Sequence, residues 1–137
     1  MPAYDSNSEN ETGLIAAQIA QSAQAGSIYA LHGPLGAGKS AFARAFIHSL
    51  CGPGTEVPSP TFTLVQIYDS PKGSIWHFDL YRLKDPNDLF ELGWEEALGG
   101  IVLVEWPERA GAIIPKRHHR IHITPTGQTS RRIETHE

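Results

Sequence analysis

The sequence predicts an α/β fold: a single P-loop-type domain with a mixed β-sheet, flanking helices and an antiparallel hairpin. Three observations carry this reading. A short apolar stretch, Ser27–His32, runs into a glycine-rich loop and then into a helical pattern. Ile101–Val104 is wholly apolar, the mark of a strand buried on both faces. Thr61–Tyr68 and Ser74–Arg82 are rich in β-branched and aromatic residues and flank the turn Asp69–Gly73, so they pair as a hairpin.

The remaining elements follow in chain order. Residues 1–7 are polar and are expected to be disordered, leaving 8–137 as the folded domain. Ser8 and Glu11 have capping-box spacing, and Leu14, Ile15, Ile19 and Ser22 then fall near one helical face. Gly26 opens the Ser27–His32 strand. From Ser40 to Leu50, Phe42, Phe46, Ile47 and Leu50 recur at helical spacing until Gly52-Pro53 stops them. Cys51–Pro60 is a loop with prolines at 53, 58 and 60. Asp85-Pro86 opens a helix with proline at its first position, running toward Leu98. Ile121–Thr124 and Arg132–Thr135 close the chain as a strand pair around Thr126-Gly127.

Bulk properties narrow the function. A chain of 137 residues is one domain with room for a real core. Eleven Lys and Arg against fifteen Asp and Glu leave a net charge of −4, which argues against non-specific nucleic-acid binding. The single Cys51 excludes an internal disulfide and any zinc site built on cysteine pairs. The first twelve residues hold no apolar signal-peptide core, and no apolar run reaches membrane-spanning length, so a cytoplasmic location is expected. The sequon Asn10-Glu11-Thr12 then carries no meaning.

The chemistry centres on Gly33-Pro-Leu-Gly36-Ala-Gly38-Lys39-Ser40, the phosphate-cradling P-loop pattern, here with its required strand before and helix after. Glycines let backbone N–H groups turn toward one point as an anion nest, and the following helix adds its N-terminal partial charge. Lys39 supplies a full charge for the terminal phosphates and Ser40 a hydroxyl for Mg²⁺.

Such a site needs an acid at the end of a neighbouring strand. Ile101–Val104 leads directly to Glu105, which is assigned that role over an ordinary exposed strand-end glutamate. In Trp76–Arg82, period two places Trp76, Phe78 and Leu80 on one face and His77, Asp79 and Tyr81 on the other. Asp79 either orients the attacking water, joins the magnesium shell, or lies on a half-solvated hairpin face. Thr61 either senses the γ-phosphate or sits in a proline-ordered turn. Trp106 either contacts a partner or packs in the core. His118, His119 and His122 sit in a basic stretch without matching carboxylates and read as a solvated strand start rather than a metal site. Arg131 and Arg132 read as solvated, with a cis arginine finger as the lesser alternative for either.

The segments GPLGAGKS, SPTFTLV, HFDLYRL, ELGWEEAL and VLVEWPER, in that order and at close spacing, resemble the TsaE (YjeE) family of small bacterial ATPases. The resemblance runs from about Thr12 to the last predicted strand. It implies an ATP- and Mg²⁺-dependent ATPase that binds a TsaD–TsaB heterodimer and resets it during threonylcarbamoylation of the adenosine next to the anticodon of ANN-decoding tRNAs. Transfer RNA would then be reached through that complex. The resemblance implies that Gly33, Leu35, Gly36, Ala37, Gly38, Lys39, Ser40 and Ala41 hold phosphates, and that Ser40 and Glu105 hold Mg²⁺. It ties Asp79, Thr61 and Trp106 to hydrolysis or coupling, and places Thr12 near the nucleotide base. The family often has Thr where this chain has Ser40; both offer one hydroxyl. Three other readings compete. A small-molecule kinase needs an arginine-rich lid, and a GTPase switch needs an Asn-Lys-x-Asp guanine reader, which the sequence lacks. A non-catalytic nucleotide-binding subunit needs neither.

Overall fold

The structure, a computed structural model, describes residues 2–60 and 62–136. Seven strands form one sheet in the order β1-β7-β6-β2-β5-β4-β3. They are β1 (Ala3–Ser6), β2 (Ile28–His32), β3 (Val65–Ser70), β4 (Gly73–Asp79), β5 (Ile101–Glu105), β6 (His119–Pro125) and β7 (Arg131–His136). The centre is parallel: β2 pairs with β5 and β6, and β5 with β4. Antiparallel partners border it on both sides, β3 beside β4 and then β7 and β1 beside β6. The expected α/β fold, hairpin and closing strand pair are all present. The central register matters most for the site. Leu31 lies opposite Glu105, and Glu105 opposite Asp79, so three neighbouring strands end at one level.

Helices α1 (Glu9–Ala20) and α2 (Lys39–Cys51) cover one face, where Phe42, Phe46 and Ile47 pack on Tyr29, Leu31, Leu103 and Ile121. The connections around 80–98 and 107–114 cover the other, where Leu80, Leu89, Trp94 and Ala110 pack on Trp76, Phe78, Val102 and Val104. Every residue of β5 is buried, as its apolar run requires.

Several local expectations are corrected. Residues 3–6, expected to be disordered, form β1 on the edge of β7. Backbone pairing supports this polar strand, and its Ser6 hydroxyl donates to the Ser8 carbonyl and bonds the Thr12 hydroxyl at 2.8 Å. Ser8 does cap α1, accepting from Glu11 N–H at 3.1 Å, but the Glu11 carboxylate reaches back to Asn7 N–H. The helix buries Thr12, Ala16 and Ala20 rather than Leu14, which is 71 % exposed; Ser22 is exposed too. Small side chains let α1 lie close on α2: a Cβ at Gly13 would stand 3.5 Å from that of Ala45.

The hairpin is shorter than expected at both ends. Strand β3 begins at Val65 rather than 61, and β4 stops at Asp79 rather than 82. Beyond Asp79 the chain turns, with Leu83 N–H donating to the Leu80 carbonyl at 3.0 Å. The helix expected from Asp85 to Leu98 is split into a 3-10 turn, Pro86–Phe90, and a single helical turn, α3 (Trp94–Ala97). Gly93 breaks it at φ +91°, where a Cβ would press to 2.9 Å of the Trp76 ring.

Lys72, at the hairpin turn, donates from Nζ to the carbonyls of Ala20 and Gln21 at the end of α1 and of Ala23 just beyond it. The last carbonyls of a helix carry its negative end. Lys72→Met is expected to lower stability by about 1 kcal/mol, a drop of about 3 °C in the thermal midpoint. Circular dichroism melting checks this; an unchanged midpoint would show that the contact contributes nothing.

Candidate functional site

The glycine loop leaves β2 under tight constraint. A Cβ at Gly33 would meet the Ile123 carbonyl at 2.6 Å, so only glycine lets the chain pass β6 there. The loop then turns, with Ala37 N–H donating to the Pro34 carbonyl at 3.0 Å. Gly38, at φ +104°, opens α2, and among the described residues no side chain caps that helix. The first-turn N–H groups of a 13-residue helix therefore face outward beside Lys39 and Ser40. Leu35 stands at the loop tip, 77 % exposed, while Ala37 is buried.

Lys39 is only 5 % exposed. Its ammonium donates to the Gly33 carbonyl and lies 3.4 Å from the centroid of the Trp106 ring, a cation–π contact. Burial pushes its pKa below the ordinary lysine value, opposed by the carboxylates of Glu105, Glu108 and Asp79. Trp106 itself has φ +57°, a left-handed conformation uncommon outside glycine. It is half-buried and packs against the second core with Tyr81 tilted on it at 5.0 Å. Packing and exposure to the cleft are thus both true of Trp106.

Glu105 is 2 % exposed, so the exposed strand-end alternative is excluded. Both carboxylate oxygens are bonded: Ser40 Oγ donates to Oε1 at 3.0 Å, and His77 Nε2 lies 2.7 Å from Oε2. Asp79 stands beside it in register and is 6 % exposed, which rules out a half-solvated face. Its Oδ1 accepts from Tyr81 N–H at 3.0 Å. Lys39, Ser40, Asp79, Glu105 and Trp106 thus line one cleft of about 390 Å³. Arg82 lines it as well, its guanidinium 4.6 Å from the ring centroid of the exposed Phe62.

The donor set suits Mg²⁺. That ion takes hard oxygen ligands, often one or two protein groups completed by phosphates and water. The Ser40 hydroxyl and Glu105 carboxylate offer such a pair, with Asp79 alongside.

Across the start of α2 lies a second cleft of about 310 Å³, lined by Ser8, Thr12, Gly38, Ala41, Gln128 and Arg131, among others. Folding thus brings Thr12 and Ala41 together next to the loop. Thr12 is 3 % exposed and its hydroxyl already bonds Ser6. Arg131, expected to be solvated, instead donates from Nε to the Ala37 carbonyl at 2.6 Å and ties β7 to the glycine loop. Arg132 is exposed as expected, near Asp5 and Glu134. Thr61 lies outside the described residues. The three histidines are half-buried rather than solvated. His119 stacks on Tyr29, His122 stacks on His32, and His118 Nδ1 bonds the Pro115 carbonyl. Among the described residues no three His, Cys, Asp or Glu side chains are arranged to hold a metal.

Sequence reasoning missed two contacts at this site. His77 shares a strand face with Asp79, but its carboxylate partner depends on strand order. Arg131 carries no motif, and its contact with the loop arises only from the sheet topology.

The sequence profile of the family described as "Threonylcarbamoyl adenosine biosynthesis protein TsaE" matches residues 6–133. A protein of Rickettsia prowazekii named tRNA threonylcarbamoyladenosine biosynthesis protein TsaE is 48 % identical over 103 residues, covering 74 % of this chain and 72 % of its own. The Bacillus subtilis protein of the same name is 35 % identical over 125 residues, covering 90 % of this chain and 77 % of its own. Among solved structures, Bacillus subtilis YdiB superposes with a TM-score of 0.77 at 29 % identity, covering 96 % of this chain and 82 % of that one. With the family's profile spanning nearly its whole length, the chain belongs to the TsaE family.

Proposed function

We propose that this chain is a Mg²⁺-dependent ATPase that acts with TsaD and TsaB in threonylcarbamoylation of the adenosine next to the anticodon of ANN-decoding tRNAs, resetting that complex between turnovers. Family membership supports the pathway. One observation supports the chemistry: Lys39, Ser40, Asp79 and Glu105 converge at the ends of three aligned strands and the start of an uncapped helix. The setting is cytoplasmic in this reading, and among the described residues no helix is long and apolar enough to cross a membrane.

In this reading the 33–41 stretch receives the phosphates through backbone N–H groups and the helix N-terminus. Lys39 moves from Gly33 and Trp106 onto the terminal phosphates. Ser40 and Glu105 hold Mg²⁺, which supplies positive charge at the phosphate oxygens. Asp79 orients the attacking water or joins the magnesium shell, and Thr61 is assigned the sensing of the γ-phosphate. We assign the base to the second cleft, which Thr12 borders. Because Lys39 lies on the Trp106 ring, its move onto phosphates would free that ring. Trp106 then reports the nucleotide state to a docked partner.

The cleft is open, with Leu35 and Tyr81 exposed at its edge. Water exclusion therefore falls to a second surface, and the isolated chain should turn over slowly. An arginine delivered in trans accelerates such reactions by about 10³–10⁵ where it operates.

Three outcomes are expected. Lys39→Ala should weaken ADP binding by about 100-fold, since it removes a charge-assisted contact worth about 1.5–3 kcal/mol. Calorimetry reads this directly, and native affinity would remove Lys39 from the phosphate site. Glu105→Ala should keep most Mg²⁺-free ADP affinity but lose about 10²–10³ in Mg²⁺-dependent phosphate release. Near-normal release by that variant would move the role to Asp79. Trp106→Ala should still bind ATP yet lose the acceleration that purified TsaD–TsaB confers in the same assay. Fast turnover by the isolated chain, indifferent to TsaD–TsaB, would make it a self-sufficient ATPase.

A further inference from the structure

We propose that His77 is a positioning residue that orients the Glu105 carboxylate for Mg²⁺; the inference rests on the reading of Glu105 given above. His77 is two residues before Asp79 on β4, and Asp79 lies opposite Glu105 on β5. The imidazole therefore reaches diagonally to the end of the next strand, where Nε2 stands 2.7 Å from Glu105 Oε2. Both side chains are 3 % exposed, so water does not compete for the bond. A carboxylate oxygen accepts, so Nε2 carries the donated proton.

Two features separate this contact from ordinary packing. His77 Nδ1 is buried and has no hydrogen-bond partner among the described residues, so the ring's polar bonding is committed to Glu105. The two carboxylate oxygens are also divided. His77 holds Oε2, while Oε1 faces the Ser40 hydroxyl, the other proposed magnesium group. A glutamate side chain has three rotatable bonds, and fixing one oxygen sets where the other points. Groups that brace a metal ligand from behind in this way are worth about 10–100-fold in metal affinity.

The test is ADP binding by calorimetry across a range of MgCl₂, with the native chain, His77→Leu and His77→Gln. Leucine fills the space without a donor; glutamine returns an N–H near the position of Nε2. Mg²⁺ should tighten ADP binding by the native chain. His77→Leu should match native Mg²⁺-free ADP affinity within about twofold but need about tenfold more Mg²⁺ for half of the tightening. His77→Gln should need within about threefold of the native concentration. Native Mg²⁺ dependence in His77→Leu would overturn the inference and leave the proposed function standing. Equal impairment of both variants would also overturn it, because packing alone would then explain the loss. If Mg²⁺ leaves ADP binding by the native chain unchanged, the underlying reading of Glu105 falls, and the inference with it. Should His77→Leu fail to fold, the native chain answers by NMR. A slowly exchanging His77 Nε2–H signal that shifts when MgCl₂ is added to the ADP-bound chain is expected; a signal that does not respond would overturn the inference.

Discussion

Burying a carboxylate is costly unless its oxygens are bonded, and the arrangement of the cleft follows from how Glu105 meets that demand. The carboxylate lies at the end of a strand buried on both faces, with Ser40 on one oxygen and His77 on the other. Ser40 comes from the start of α2, and His77 from β4. The bonds therefore connect the helix that follows the glycine loop with two neighbouring strands. The parallel register of β2, β5 and β4 makes this possible, because it brings Leu31, Glu105 and Asp79 to one level. In open α/β sheets, ligands gather at this edge, outside the carboxyl ends of the strands.

Lys39 completes the electrostatics. It is buried with the Trp106 ring against its ammonium, within the electrostatic reach of the Glu105, Glu108 and Asp79 carboxylates. Two opposing effects act on it: desolvation disfavours the charge, and the nearby acids favour it. The backbone of Trp106 is held in a left-handed conformation directly after the acid. Residues held this way persist where their surroundings over-determine them, and they cluster at functional sites. The β1–β7 edge supports the loop from the other side, through Arg131 on the Ala37 carbonyl.

Much of this is legible in the sequence, for identifiable reasons. The glycine loop reads directly because its chemistry is local: turn, nest, charge and hydroxyl lie within eight residues. Glu105 is found because a wholly apolar run ending in an acid is unusual. The shared face of His77 and Asp79 follows from period two. The missed features are all long-range. The polar strand β1 is formed by pairing with a strand more than a hundred residues away. The break at Gly93 follows from the position of the Trp76 ring. The solvent-facing Leu14 reflects the close approach of α1 to α2 through small residues. His77 and Arg131 find their partners only once the strand order is set.

The central claim is that one nucleotide–metal site is built on Lys39, Ser40 and Glu105. A crystal structure of the chain with a non-hydrolysable ATP analogue tests it most directly, with Mn²⁺ replacing Mg²⁺ for its anomalous signal. The account predicts phosphates in the 33–40 loop, Lys39 drawn off Trp106 onto them, and the metal peak beside Ser40 Oγ and the Glu105 carboxylate. Lys39 still resting on Trp106, with nucleotide or metal bound elsewhere on the molecule, would contradict it.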